Sequence, residues 1–279
     1  MENQSKFPTL LEIRKAHASK YEYERYLLLS RYVFRPVGFL LTWVSIRIGL
    51  SSEAISWLSG LVGLIGCLSL LITQEQLLPV GIGLLLLFNL LDCVDGSMAR
   101  VMNTQNPYGR FLDSLMGFID MAFWAVIGIM AYNHSKFLTF HNPFDYGSIL
   151  WLAVGGLTCY FSIMVGYVER IFDELVRDEW NKIKSNIGKN SQDFNQFNTD
   201  SKISHKKSLS SQVKDILRAI NTNLRVRETH YFLLILAYLT RTIDLLLGLF
   251  FLYYSLQTIL LVIIYYIRSR KLRIFQSKQ

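Results

Sequence analysis

The sequence predicts an all-α polytopic membrane protein with six transmembrane helices, preceded by an N-terminal interfacial amphipathic helix. Two observations carry this expectation. Several windows of the 279-residue chain are almost purely apolar over about 20 residues, the length that crosses a hydrocarbon core. The 29 Lys and Arg residues fall largely between those windows, and their distribution is one-sided.

Residues 7–32 mix Leu10, Leu11, Ile13, Tyr21, Tyr23 and Tyr26 with Arg14, Lys15, Lys20, Arg25 and Arg31, which suits an amphipathic helix against lipid phosphates. Pro36 is expected to break it. Residues 37–50 are apolar but short and include Arg47, so they read as interfacial. Ser51 and Ser52 can cap a helix whose first turn holds Glu53. The first span then covers 54–72, where Gly60, Gly63 and Gly66 form a small-residue stripe that lets a neighbouring helix approach. Pro79 opens the second span, which ends at Ala99. Residues 109–132 and 147–168 supply the third and fourth. The apolar run 230–267 is long enough for two more, with its turn at 241–244 or nearer Gly248 or Tyr254.

Four regions result. Residues 1–50 are cytoplasmic and interfacial, and 51–168 hold spans one to four. Residues 169–229 form a basic cytoplasmic loop whose Ser/Asn-rich middle reads as a flexible connector between helical shoulders. Residues 230–279 hold the last two spans and a basic tail. With the N-terminus inside, cytoplasmic segments carry 27 Lys and Arg, against Lys136 and Arg241 outside. Both termini are therefore expected in the cytoplasm. No cleavable signal peptide is expected, because residues 1–30 lack an apolar core. The net charge of +8 faces anionic headgroups, and no nucleic-acid module claims it. Cys67, Cys93 and Cys159 lie in apolar segments and read as packing residues, and the five His show no metal spacing.

Chemistry concentrates between Asn89 and Asp120, where Asp92, Asp95, Asp113 and Asp120 sit in or beside hydrophobic segments. A carboxylate at the bilayer centre costs roughly 2.5–3.5 kcal/mol on insertion scales, so such groups are functional candidates by default. Asp92 and Asp95 are three apart and share a helix face, and Asp113 returns one turn into the next helix. Clustered carboxylates repel unless protonated or bridged by cations, and all-oxygen ligands favour hard ions over zinc. Two readings stay open at this level: metal-assisted phosphoryl chemistry, or a proton or cation pathway.

The run D-C-V-D-G-S-M-A-R, eight residues, then G-R-F-L-D resembles the signature of the CDP-alcohol phosphotransferase (phosphatidyltransferase) family, D-x2-D-G-x2-A-R-x8-G-x3-D-x3-D. Seven of its eight fixed positions match: Asp92, Asp95, Gly96, Ala99, Arg100, Gly109 and Asp113. The resemblance implies transfer of a phosphoalcohol or phosphatidyl group from a CDP-linked donor to a hydroxyl acceptor, releasing CMP. It implies one or two Mg²⁺ or Mn²⁺ ions on the catalytic carboxylates Asp92, Asp95 and Asp113. Gly96, Ala99, Arg100 and Gly109 would form the nucleotide site, joined by Ser56, which stands for the Thr of a P-N-x2-T-like element. Membrane lipid is the other expected partner, together with a homodimer through transmembrane helices. Arg225 and Arg227 are candidates to meet an acceptor headgroup.

One position departs. Where the family has its last aspartate, a metal ligand and base for the acceptor hydroxyl, this chain has Gly117. Asp120 is the nearest carboxylate, three residues deeper and so about 4.5 Å away along a helix. Its expected partner is Asn89, at comparable depth on the second span. Three functions follow from these residues: a transferase with altered final chemistry, a catalytically silent nucleotide- and metal-binding relative serving as a partner subunit, and a small cation or proton transporter.

Overall fold

The computed structural model of the chain describes residues 7–140, 146–181 and 209–276, and these are helical with no strand among them. The middle of the expected flexible connector lies outside the described residues. α1 (Leu10–Ala16) is capped by a reciprocal pair, Thr9 and Glu12. It ends after seven residues, and 3₁₀ turns at Ala18–Lys20 and Tyr23–Tyr26 and a π turn at Ser30–Phe34 follow. The expected continuous helix over 7–32 is therefore a folded strap. The cause is a set of buried polar groups, His17 and Glu24, which the strap wraps around. Pro36 does not break a helix. It sits just after the π turn, in a helical run that continues without a break from that turn into α2 (Arg35–Arg47).

Ser51 caps α3 (Ser52–Leu71) by accepting from the Ala54 amide at 3.1 Å. α4 (Leu77–Val101) packs along it, and the glycine stripe is consumed there. A Cβ on Gly63 would lie 3.0 Å from the Phe88 ring, and one on Gly66 3.3 Å from the Gly81 carbonyl. Gly60 faces Met116. The stripe thus serves contacts within the chain and is not presented to a second copy.

The third span is α5 (Pro107–Gly117), a 3₁₀ segment (Phe118–Ala122) and α6 (Phe123–Asn133), so the expected single helix changes winding directly after Gly117. α6 crosses α7 (Tyr146–Leu175) at Gly128 and Gly155, whose backbones meet so closely that a Cβ on Gly155 would fall 2.5 Å from the Gly128 Cα. α8 (Leu209–Leu224) leads to α9 (Arg227–Thr240) and α10 (Ile243–Gln276). Arg241 in the left-handed region (φ 58°) turns the chain between the last two, at the first of the expected positions. The buried Asp244 fastens that turn to the segment after α6 by accepting from the Thr139 and Phe140 amides at 3.0 and 2.9 Å.

Five segments are long and apolar enough to cross a membrane: Ser52–Leu71, Leu77–Val101, Pro107–Asn133, Ile149–Leu175 and Ile243–Arg273. α9, with 14 residues, is shorter than the usual span. The main core joins α3, α4, α6, α9 and α10 around Phe88, Phe123, Ile127, Tyr231 and Phe250.

Candidate functional site

A tight reversal between α4 and α5 builds the site. Asn103 takes the left-handed conformation (φ 54°), and the Thr104 amide returns to the Ala99 carbonyl at 3.0 Å. Asn106 then caps α5 by accepting from the Gly109 amide at 2.7 Å, with Pro107 in the first turn. This brings Gly109 and Asp113 across from Asp95, Gly96, Ala99 and Arg100 on one cavity of about 590 Å³. Ser52, Glu53 and Ser56 from α3 line the same cavity, as do Ala16 and Lys20 from the strap.

Within it, Asp95 is 5 % exposed and held rigidly. The Ser56 hydroxyl donates to its Oδ2 and the Gly96 amide to its Oδ1, each at 2.5 Å. Ser56 thus orients a carboxylate while lining the cavity. Asp113 is exposed on the opposite wall. Neither Gly96 nor Gly109 is forced by packing. A Cβ on Gly109 would make only ordinary contact with Asn106, 3.5 Å away, and one on Gly96 would meet a movable guanidinium at 3.3 Å.

The other expected residues do not line this cavity. Asp92 is half-buried in an ion pair with Arg227, Oδ2 to Nη2 at 2.5 Å, and that guanidinium lies over the Phe88 ring. Asp120 accepts from the Tyr231 hydroxyl at 2.8 Å, not from Asn89. The tighter 3₁₀ winding over Phe118–Ala122 explains this, since three residues per turn carry Asp120 off the face that α-helical spacing assigns it. Among the described residues the Asn89 side chain has no hydrogen-bond partner. Gly117 opens on a second cavity of about 500 Å³ with Asp120, Arg170, Arg225, His230 and Tyr254. Arg225 grips Glu169 through two bonds, 2.8 and 2.5 Å, which raises its pKa further above the usual guanidinium value. Arg225 and Arg227, the candidates for headgroup contact, are thus both engaged by carboxylates.

The sequence reading passed over the residues behind Arg100. Its Nη2 lies 3.3 Å from His17 Nδ1, His17 Nε2 lies 2.8 Å from Glu24 Oε2, and Arg35 donates to Glu24 Oε1 at 2.6 Å. A guanidinium only donates, so Nδ1 is the acceptor and Nε2 carries the proton toward Glu24. Burial alone would raise the Glu24 carboxyl, but the His17 hydrogen bond and the Arg35 charge outweigh it and hold the group below its ordinary value. No spacing rule links His17 to a residue 83 positions away.

The donor chemistry suits a hard divalent cation, since Asp95, Asp113 and Ser56 offer only oxygen. Among the described residues no three His, Cys, Asp or Glu side chains stand close enough together to hold one. Comparison with curated proteins finds no match. Residues 51–187 match the family model described as CDP-alcohol phosphatidyltransferase. That stretch contains the first four spanning segments and every motif residue of the cavity, and the chain belongs to the CDP-alcohol phosphatidyltransferase family of membrane transferases acting on phosphate-containing groups.

Proposed function

We propose that the protein transfers a phosphoalcohol or phosphatidyl group from a CDP-linked donor to a hydroxyl acceptor at the cavity between α3, α4 and α5. The observation that carries this reading is the convergence of Asp95, Gly96, Ala99, Arg100, Gly109 and Asp113 on that one cavity. The acceptor oxygen would form the new bond to phosphorus and give up its proton to water while the bond to CMP breaks, CMP leaving with the electron pair. Arg100 supplies a fixed positive charge for the pyrophosphate, and side-chain-free Gly96 and Gly109 admit it close to the backbone. Asp95, Asp113 and Asp92 would hold Mg²⁺ or Mn²⁺, which when bound neutralises developing charge on the phosphates. Asp92 must first exchange Arg227.

Position 117 is where a base for the acceptor hydroxyl would stand. Glycine supplies none, and Asp120 is committed to Tyr231. The charge asymmetry supports a cytoplasmic cavity and cytoplasmic termini, with α9 completing a sixth crossing. Two observations favour a second reading, a nucleotide-binding relative without turnover: Gly117 and the Arg227-bound Asp92.

The test is CMP release from a panel of CDP-alcohols and acceptors in the presence of Mg²⁺ or Mn²⁺. A Cβ on Gly117 meets nothing within 4 Å, so Gly117→Asp fits without repacking. That variant should raise release by about 10²–10⁴-fold, the usual worth of a general base. CDP binding with no release from either form would favour the second reading. Absence of both binding and release would sink the two together.

A further inference from the structure

The strap encloses another cavity, about 520 Å³, set apart from the motif residues and lined by Arg14, Arg31, Arg35, Tyr21, Tyr32 and Phe39 among others. Its charge balance is unusual. Glu24 is the acidic residue on its wall, and both Glu24 oxygens are already taken, one by Arg35 and one by His17. Arg14 and Arg31 form no ion pair among the described residues, so two cationic heads remain uncompensated. The surroundings are apolar. Val33, Val37, Leu40 and Val44 are exposed at spacings of four, three and four, a stripe that begins one residue after the cavity-lining Tyr32 and follows α2. Leu10 and Tyr32, on the cavity wall, are exposed too. Cationic heads beside an uncovered apolar stripe match one class of ligand, an amphiphile with an anionic head.

We propose that this cavity binds the phosphate headgroup of an anionic membrane lipid, whose acyl chains lie along the Val33–Val37–Leu40–Val44 stripe. The arginines supply bidentate donors to the phosphate oxygens, and Tyr32 supplies a hydroxyl beside them, while the Tyr21 hydroxyl donates to the Arg14 carbonyl. A soluble phosphate would meet the same cations but leave the stripe uncovered. The site shares no lining residue with the motif cavity, and Arg14 and Arg31 stand outside the Arg35–Glu24–His17 chain that reaches Arg100.

The test uses the full chain in phosphatidylcholine nanodiscs, with and without phosphatidylglycerol, and reads lipid retention by native mass spectrometry together with thermal stability. Arg14 and Arg31 are exposed, so the Arg14→Gln/Arg31→Gln double variant keeps the fold, and Lys271→Gln/Arg273→Gln serves as a control of equal charge loss. Phosphatidylglycerol should be retained and should stabilise the wild type and the control. Its affinity should fall roughly 25-fold in the double variant, as follows from about fivefold for each of two basic residues at a membrane surface. Equal loss in the control, or unchanged retention in the double variant, overturns the site. Glycerol phosphate competing as strongly as the lipid overturns the lipid assignment.

Discussion

The carboxylates of the signature stretch divide into two pairs with opposite circumstances. Asp95 and Asp113 face the motif cavity, one locked by Ser56 and the Gly96 amide, the other exposed. Asp92 and Asp120 are turned to α9, where Arg227 and Tyr231 satisfy them. The division is made by α9, which supplies the partners of one pair and none to the other. A helix too short to be counted as a span by length holds two of the four through residues one turn apart.

The largest effect should come from removing the charge that holds Asp92. Arg227→Met leaves a half-buried carboxylate unpaired, at a cost of roughly 3–5 kcal/mol by the behaviour of broken buried pairs. Chemical denaturation in detergent would measure it. Added Mg²⁺ or Mn²⁺ should recover part of that loss if Asp92 passes to a metal. No recovery would confine Asp92 to the ion pair and leave the comparison as a permanent division.

A smaller effect, about 1.5–3 kcal/mol for a hydrogen bond to a charged group, is expected at the support of Arg100. Asn in place of His17 keeps an acceptor near Nδ1, whereas Gln keeps one near Nε2. CDP affinity should therefore suffer less in His17→Asn than in His17→Gln. The reverse order would mean that His17 serves the strap and not Arg100. Glu24 also gives a pH signature. Its carboxyl is lowered in the fold, so its contribution is present above the ordinary value of 4.5 and is lost as pH falls through the lower folded value. Acid release of the strap, followed by hydrogen exchange, should flatten in Glu24→Gln.

The smallest effect belongs to Tyr231→Phe, which deletes the Asp120 hydrogen bond at about 1–3 kcal/mol. Thermal denaturation would show it, with CDP binding unchanged because Asp120 lies off the motif cavity. A loss of CDP binding would join the two carboxylate pairs into one site.

Much of this was legible in the sequence because membrane spans and signature motifs are local. The spans follow from apolar length, and Gly96, Ala99, Arg100, Gly109 and Asp113 follow from fixed spacing across one short reversal. What was not legible depends on contacts between distant segments. Arg227 reaches Asp92 across 135 positions, and Asn223 fastens the strap by accepting from the Leu28 amide 195 positions away. Asp120 departs from helical periodicity for a different reason: it lies in a segment that winds as 3₁₀. The strap failed as a long helix because buried His17 and Glu24 dictate its path more strongly than its amphipathic pattern.

CDP binding by the purified full chain, read by calorimetry with and without Mg²⁺ or Mn²⁺ for the wild type and Asp113→Asn, tests the cavity most directly. Metal-dependent binding that disappears in Asp113→Asn is the predicted result. Binding that is indifferent to metal and to Asp113 would contradict the assignment of the cavity.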